Sequence, residues 1–232
     1  MKNTETALTA KQLKTAAFMN LAVAVMSLIG SIAGYISDRS SGMSFFRFYT
    51  TDSNVLGMVI CAVLGVCYLK QLKNGSEVPK WVIIVKYCAV CCLMITFLVT
   101  VFILTPFFVI DASLYGIEGD FNLWQAIGVM LFSPCTVFHH LLCPLVSFAS
   151  LLLFDRLPYK PGKCMLFAMI PTAIYAAISI TLNILRVWHG PYPFLLVHEQ
   201  PVWMSLVWFI LVFGGAGVIS YFVAKLAKHK KA

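Results

Sequence analysis

The segment FRFYTTDSNVLGMVI, residues 46–60, carries a dense group of polar side chains at the start of a long apolar run. The group consists of Arg47, Thr50, Thr51, Asp52, Ser53 and Asn54. Each of these side chains loses hydration if it enters lipid, and an ionisable one costs at least ~2.5 kcal/mol at the centre of a bilayer. Side chains this costly need partners or a function, so they are candidates for a site.

Two other polar groups interrupt later apolar runs. His139 and His140 are adjacent in VFHHLLCPLVSF, and Asn183 and Arg186 lie in ITLNILRVWHG. Ionisable residues inside a membrane bundle usually face its interior and pair with one another. The pattern therefore predicts one polar cavity, walled by the second, fourth and fifth apolar runs.

Threonine and histidine in such a cavity are suited to nucleophilic catalysis. A threonine hydroxyl attacks when a base takes its proton, and neutral imidazole, which burial favours, is the usual base. The pair would attack an ester carbonyl and form an acyl-enzyme that water cleaves. The oxyanion also needs donors, and Asn54, Ser53, Arg47 and Arg186 are equal candidates. Asp52 either orients the imidazole or pairs with one of the arginines.

Simpler explanations exist for each residue type. A threonine in a membrane helix most often bonds its own backbone, and an arginine at a membrane surface most often snorkels to the interface. Adjacent histidines point about 100° apart on a helix, so at most one of them faces a given site. Spacing alone therefore does not specify a catalytic pair.

The composition shows which elements must position these residues. Of the 232 residues, 60% are hydrophobic and 11% are charged, and the mean hydropathy is +0.88. A soluble domain of this length cannot hide so much apolar surface. Runs of ~20 apolar residues occur at 15–36, 49–69, 81–109, 125–153, 165–187 and 203–224. The sequence predicts one all-α integral membrane domain over residues 1–232, with six transmembrane helices.

The distribution of charge predicts the topology. The N-terminus, the second and fourth loops and the C-terminus carry the basic residues, which are Lys2, Lys11, Lys14, Lys70, Lys73, Lys80, Arg156, Lys160, Lys163, Lys225, Lys228, Lys230 and Lys231. The opposite loops hold only Arg39, Arg47 and Arg186, together with the acidic Asp111, Glu118 and Asp120. The positive-inside rule then places both termini in the cytoplasm. Cytoplasmic anchoring accounts for the net charge of +8, so no nucleic-acid partner is expected.

The first run is too long for a cleaved signal peptide. The eight cysteines fall in or at the ends of the runs, where cysteine behaves as a small apolar residue. Cys88 and Cys91 have C-x-x-C spacing, but no matching histidine pair accompanies them. The sequence therefore predicts no metal site, and a Thr–His pair needs no organic cofactor.

Three short motifs resemble a known family. RFYTTDSN at 47–54 and FHHLLCPL at 138–145 resemble segments of the androgen-induced and androgen-dependent TFPI-regulating (ADTRP-like) membrane hydrolases. Together with YPFL at 192–195, they resemble more closely segments of bacterial six-helix membrane proteins. The family cleaves fatty acid esters of hydroxy fatty acids with an intramembrane threonine and histidine. The resemblance implies Thr50 as nucleophile and His140 as base, with Thr51 and His139 as alternatives one residue away. It also implies location in a bacterial inner membrane.

The prediction is thus an intramembrane threonine hydrolase whose partner is a membrane lipid or lipid-ester substrate. The alternatives are a small lipid-binding or transport protein, in which Arg47, Asp52 and His140 bind a head group or relay a proton, or an inactive relative of the hydrolases. A transporter of this length would be expected to show repeated halves, and no repeat is evident. The sequence predicts no oligomeric state.

Overall fold

The computed structural model describes residues 8–37, 42–115 and 117–229. The helices within these residues are α1 (Ala10–Ser37), α2 (Tyr49–Asn74), α3 (Lys80–Ile110), α4 (Leu123–Phe132), α5 (Val137–Phe154), α6 (Pro161–Ile184) and α7 (Val202–Leu226). Short 3₁₀ turns cover Gly42–Arg47, Ala112–Tyr115 and Pro193–Leu195. Two short strands, β1 (Arg156–Leu157) and β2 (Lys228–His229), pair in parallel. The predicted all-α class is confirmed.

Six helices in the described part of the chain are long and apolar enough to cross a membrane, and α4 is a shorter apolar helix. Their outer faces carry large apolar side chains that a soluble protein would bury. Trp124 is 80% exposed, Ile110 79% and Phe18 72%. Contact with hydrocarbon satisfies such a surface, whereas water would not.

The fourth predicted span differs from the structure. The sequence predicts one helix over residues 125–153, but α4 ends at Phe132 and α5 begins at Val137. Ser133 is extended, with ψ of 158°, because the residue before a proline is driven out of the helical region. Pro134 therefore divides the span, and the two histidines lie in the first turns of a new helix.

Three wide π-helical turns lie within the long helices, at Thr100–Leu104, Val137–Leu142 and Ile210–Gly214. The first two each end two residues before a proline, Pro106 or Pro144. A proline has no N–H to donate, which removes a regular helical hydrogen bond. The turn relaxes so that the N–H of the residue before the proline reaches five residues back, from Thr105 to Thr100 and from Cys143 to Phe138. Wide turns of this kind are frequent at functional sites.

The basic half of the bundle holds the largest apolar core, which includes Leu64, Tyr87, Leu151, Leu157 and Cys164. Buried polar residues that the sequence analysis did not single out cross this core. The side chain of Lys86 is fully buried, and its Nζ donates to Asn20 Oδ1 at 2.6 Å and to Cys61 Sγ at 3.1 Å. Asn20 Nδ2 donates to Ser150 Oγ at 2.9 Å. These bonds tie α1, α2, α3 and α5 together.

Asp155, the first residue after α5, is a further buried polar residue in this half of the bundle. It is 1% exposed and accepts a short hydrogen bond from the Tyr68 hydroxyl. Burial raises the pKa of its carboxyl to about 6, although Lys86 and Tyr68 act in the opposite direction. Its second oxygen has no hydrogen-bond partner among the described residues.

We expect Asp155 to make the stability of the protein depend on pH. Its folded pKa lies above the ordinary value of ~3.9, so the folded state binds more protons between about pH 4 and pH 6. Its contribution therefore lowers the free energy of unfolding as the pH rises through that window, and the contribution is constant above it. Unfolding temperatures in detergent across this range should fall in the wild type and change less in Asp155→Asn. Parallel pH profiles for the two proteins would contradict the assignment.

Candidate functional site

A cavity of about 520 Å³ lies between α2, α3, α6, α7 and the loop that joins α6 to α7. Its wall includes Thr50, Thr100, Tyr175, Tyr192, Ser205 and Phe213. Helices α2 and α6 line it, as predicted for the second and fifth spans. None of the described lining residues comes from α4 or α5, so α3 and α7 take the place of the fourth span as walls. The cavity is mostly apolar, which corrects the expectation of a polar chamber.

Thr50 and Thr51 face different surroundings at the start of α2. Thr50 lines the cavity, whereas Thr51 is 4% exposed and does not. The helix begins at Tyr49 without a side-chain cap, so the first amides lack helical partners. The Thr50 N–H donates to the Tyr192 hydroxyl at 3.4 Å. Of the two candidates, only Thr50 therefore meets a ligand in the cavity.

Ser53 and Asn54 hold the turn that carries Thr50. The Ser53 hydroxyl bonds the Thr50 carbonyl at 3.0 Å and Thr96 Oγ1 at 3.1 Å. Asn54 Nδ2 donates to the carbonyls of Thr50, at 2.9 Å, and His139, at 3.2 Å. Both amide protons of Asn54 are thus used, one within α2 and one in joining α2 to α5. These two residues position the site, and Asn54 has no donor left for an oxyanion.

His139 is a buried residue with partners on both ring nitrogens. Its Nε2 lies 3.2 Å from the Ser27 carbonyl and 3.3 Å from Ser31 Oγ, and its Nδ1 lies 3.7 Å from Cys135 Sγ. A carbonyl only accepts, so Nε2 carries the proton and Nδ1 can accept from the Cys135 thiol. This arrangement fixes α5 against α1 and leaves no nitrogen for proton transfer.

His140 retains a free basic nitrogen. Its Nδ1 lies 2.7 Å from the Met130 carbonyl and must donate to it. The neutral ring then has an unprotonated Nε2, for which the described residues supply no hydrogen-bond partner. Within the same residues, no hydrogen bond joins either histidine to Thr50 or Thr51, and the two segments meet through the Asn54 amide.

Gly30 on α1 is the close neighbour of His139. A Cβ at this position would lie 2.7 Å from His139 Cδ2 and 2.9 Å from Phe138 Cβ. We expect Gly30→Ala to push α5 away and to lower the free energy of unfolding by ~1–3 kcal/mol, the usual effect of overpacking. Gly128→Ala is the matched control, because nothing lies within 4 Å of a Cβ there. Unfolding measurements in detergent should give a lower free energy of unfolding for Gly30→Ala than for Gly128→Ala. Equal stability of the two variants would show that the contact at Gly30 is not tight.

Arg47 and Asp52 lie beside this site without pairing. The Arg47 guanidinium lies 5.1 Å from the centre of the Phe48 ring, and the Arg47 carbonyl accepts from the Tyr175 hydroxyl at 2.8 Å. Asp52 is half-buried. Among the described residues it forms no ion pair with Arg47 or with Arg186, so the expected pairing is not observed.

Asn183 and Arg186 belong to a different place, the end of α6. Asn183 Oδ1 accepts from the Val197 N–H at 3.1 Å and so fixes the following loop. Arg186 is exposed and has a φ of 57°, a left-handed conformation that ends the helix. Both residues line a smaller pocket of about 290 Å³ with His189 and Glu199. The structure therefore separates them from Thr50.

Tyr192 is a site residue whose role the sequence analysis missed. Its hydroxyl lies at the Thr50 N–H, and burial raises the pKa of the phenol. It therefore stays protonated and can donate a hydrogen bond inside the cavity. The YPFL segment contains this tyrosine, but a tyrosine that follows a membrane helix is also typical of an interfacial anchor. The segment alone therefore does not show that Tyr192 faces a site.

No family model, curated protein or solved structure matches this chain.

Proposed function

We propose that this protein is an intramembrane threonine hydrolase that cleaves a lipid ester, with Thr50 as nucleophile and His140 as general base. The observation that carries the proposal is the position of Thr50. It lines an apolar cavity large enough for an acyl chain, and Asn54 binds its turn to the histidine segment. The short family motifs support the same pair of residues.

The reaction follows from the groups present. The Thr50 hydroxyl attacks the ester carbonyl, and its proton passes to His140 Nε2 directly or through one water. The Tyr192 hydroxyl donates to the oxygen on which negative charge develops. As the intermediate collapses, His140 returns its proton to the leaving oxygen, which releases the alcohol and leaves acyl-Thr50. His140 then takes a proton from a water that attacks this ester, and the acid leaves as Thr50 recovers its proton. No step in this sequence requires a metal or an organic cofactor.

The proposed location is a bacterial inner membrane, with both termini in the cytoplasm. Of the charges that predict this topology, Lys2, Arg39, Lys230 and Lys231 lie outside the described residues, and the others keep the same bias. The cavity then lies in the outer half of the bilayer and takes lipid from it sideways. Alkaline phosphatase fused after Glu118 should be active and after Ser76 inactive; the reverse pattern would invert the topology.

Hydrolysis by the purified protein tests the proposed activity. Wild type in detergent should release acid from long-chain esters, and Thr50→Val, which removes the hydroxyl at nearly constant volume, should release none above background. Thr181→Val is the matched control, because Thr181 is exposed on α6 and does not line the cavity. Equal activity in all three proteins would exclude Thr50 as the nucleophile.

Lipid binding without cleavage is the second candidate. Its support is that no histidine of α5 lines the cavity, whose wall is mostly apolar. The same purified protein would then retain a long-chain ester without releasing acid. Acid release that depends on Thr50 would exclude this candidate.

A further inference from the structure

The smaller pocket at the end of α6 differs in chemical character from the cavity. This loop pocket has a volume of about 290 Å³, and its polar lining residues are Asn183, Arg186, Trp188, His189, His198 and Glu199. The cavity, in contrast, is lined by no lysine, arginine, aspartate or glutamate within the described ranges. The two spaces therefore suit the two ends of an amphipathic molecule.

The loop pocket holds one positive charge that has no partner. The Glu199 carboxylate accepts a hydrogen bond from His189 Nε2. His198 Nε2 donates to two carbonyls in the last turn of α6, at 3.1 and 3.2 Å. The Arg186 guanidinium forms no hydrogen bond or ion pair with any residue that the structure describes. Its charge and its five N–H groups are therefore available to a ligand.

Arg186 also has an unfavourable backbone conformation. Its φ of 57° is the only positive φ outside glycine in the described part of the chain. The left-handed region costs a residue with a Cβ roughly 1–2 kcal/mol, and glycine or asparagine usually takes this place at the end of a helix. Strained residues of this kind cluster at ligand sites. An arginine that only anchored the helix at the membrane surface would not need this position, so the strain favours a role for the side chain in the loop pocket.

The loop pocket adjoins the apolar cavity at His198. This side chain lines both spaces, and its bonds to the end of α6 hold it at the boundary between them. One molecule can therefore place a charged group beside Arg186 and an apolar chain in the cavity.

The cavity also opens toward lipid between α6 and the first half of α7. Ile184, Leu206 and Phe209 line the cavity and are exposed. None of the residues Val202–Gly214 of α7 is buried. An acyl chain from the surrounding bilayer can therefore enter from the side without crossing water.

We propose that the loop pocket binds the phosphate of a membrane phospholipid, with Arg186 as its counter-charge, while one acyl chain of that lipid occupies the cavity. A guanidinium forms two parallel hydrogen bonds to a phosphate, which suits an arginine better than a lysine. The pocket follows the last turn of a membrane span, which is the level of the lipid head groups. The proposal rests on the proposed function in taking the cavity as the lipid site, and it names phospholipids as the substrate class.

Binding of two single-chain probes tests this head-group site without requiring catalysis. The probes are radiolabelled hexadecylphosphocholine, which has a phosphodiester but no carboxylic ester to cleave, and hexadecanol, which has the same chain without the phosphate. We expect Arg186→Asn to bind the phosphocholine about tenfold more weakly than wild type, and Arg186→Lys to bind it with an intermediate affinity. Lys225→Asn is the matched control, because it removes an exposed positive charge at the other end of the bundle. Hexadecanol should bind equally to all four proteins.

Thermal unfolding of the same variants separates ligand binding from folding. Asparagine adopts the left-handed conformation more readily than arginine, so Arg186→Asn should unfold at the wild-type temperature or above it. Weaker binding by a protein that is no less stable is the result that a ligand role predicts. A lower unfolding temperature in Arg186→Asn with unchanged phosphocholine binding would show that the arginine serves the fold, and would overturn the proposal.

Each binding outcome has a distinct meaning. Equal phosphocholine binding by wild type and Arg186→Asn would overturn the head-group site and leave the lipid cavity of the proposed function in place. A parallel loss of both probes in Arg186→Asn would also overturn it, because Arg186 would then act only on the shape of the cavity. Tighter binding of palmitate than of the phosphocholine would assign the loop pocket to carboxylates and exclude the phosphate. Failure of the folded wild type to bind either probe would overturn both the head-group site and the proposed lipid site.

Discussion

Replacing Lys86 with methionine should strongly destabilise the protein. Methionine keeps the length of the side chain but removes the charge, which leaves the buried Asn20 side-chain oxygen without its donor and removes the positive charge that favours the Asp155 carboxylate. Leaving a buried polar group without its partner typically costs ~1–3 kcal/mol, and more where a charged group is involved. The network also joins four helices, so its loss should affect the whole bundle.

Unfolding of the purified variant in mixed micelles measures this effect. Lys73→Met is the matched control, because Lys73 is exposed near the end of α2 and should change stability by less than ~0.5 kcal/mol. The double variant Lys86→Met/Asp155→Asn should recover part of the loss, because it no longer buries an unpaired carboxylate. Wild-type stability in Lys86→Met would show that the lysine contributes nothing to the fold.

Replacing His140 with glutamine should lower turnover, whereas replacing His139 with glutamine should lower stability. His140→Gln removes the free Nε2, so turnover should fall by ~10²–10⁴-fold, the range for a general base, while the unfolding temperature stays close to wild type. His139→Gln should lower the unfolding temperature, because the ring fills the space against Gly30 and bonds the Ser27 carbonyl. The folded fraction of that variant should retain most of its turnover.

Turnover per folded molecule and thermal unfolding, measured on the same preparations, separate these effects. Loss of turnover in His139→Gln at wild-type stability, with His140→Gln active, would reverse the assignment. Full activity in both variants would remove histidine from the mechanism.

The number of long helices was predictable because each one must satisfy its backbone within lipid and therefore needs a long apolar run. From the sequence alone, Pro134 could be predicted only to kink the helix. Whether the helix ends there and a new one begins depends on how the neighbouring helices pack. Lys86 gives no recognisable motif in the sequence, because it is a single charged residue in a very apolar run. Its hydrogen-bond partners, Asn20 and Cys61, come from two other helices, and their proximity is set by packing.

Packing also limits how much of the candidate site can be predicted from the sequence. The motifs identify the polar residues, but the rotation of each helix about its axis decides which of two neighbours faces the cavity. Thr50 and Thr51 differ by about 100° in direction, and only the packed bundle distinguishes them.

Labelling with a lipid-like fluorophosphonate, followed by mass spectrometric location of the adduct, tests the central claim most directly. The reagent phosphonylates an activated hydroxyl, so the folded wild type should carry the adduct on Thr50. Thr50→Val and His140→Gln should carry none, and Thr181→Val should be labelled as wild type is. An adduct on Thr51 or on any other residue, or labelling of Thr50 that survives the loss of His140, would contradict the Thr50–His140 mechanism.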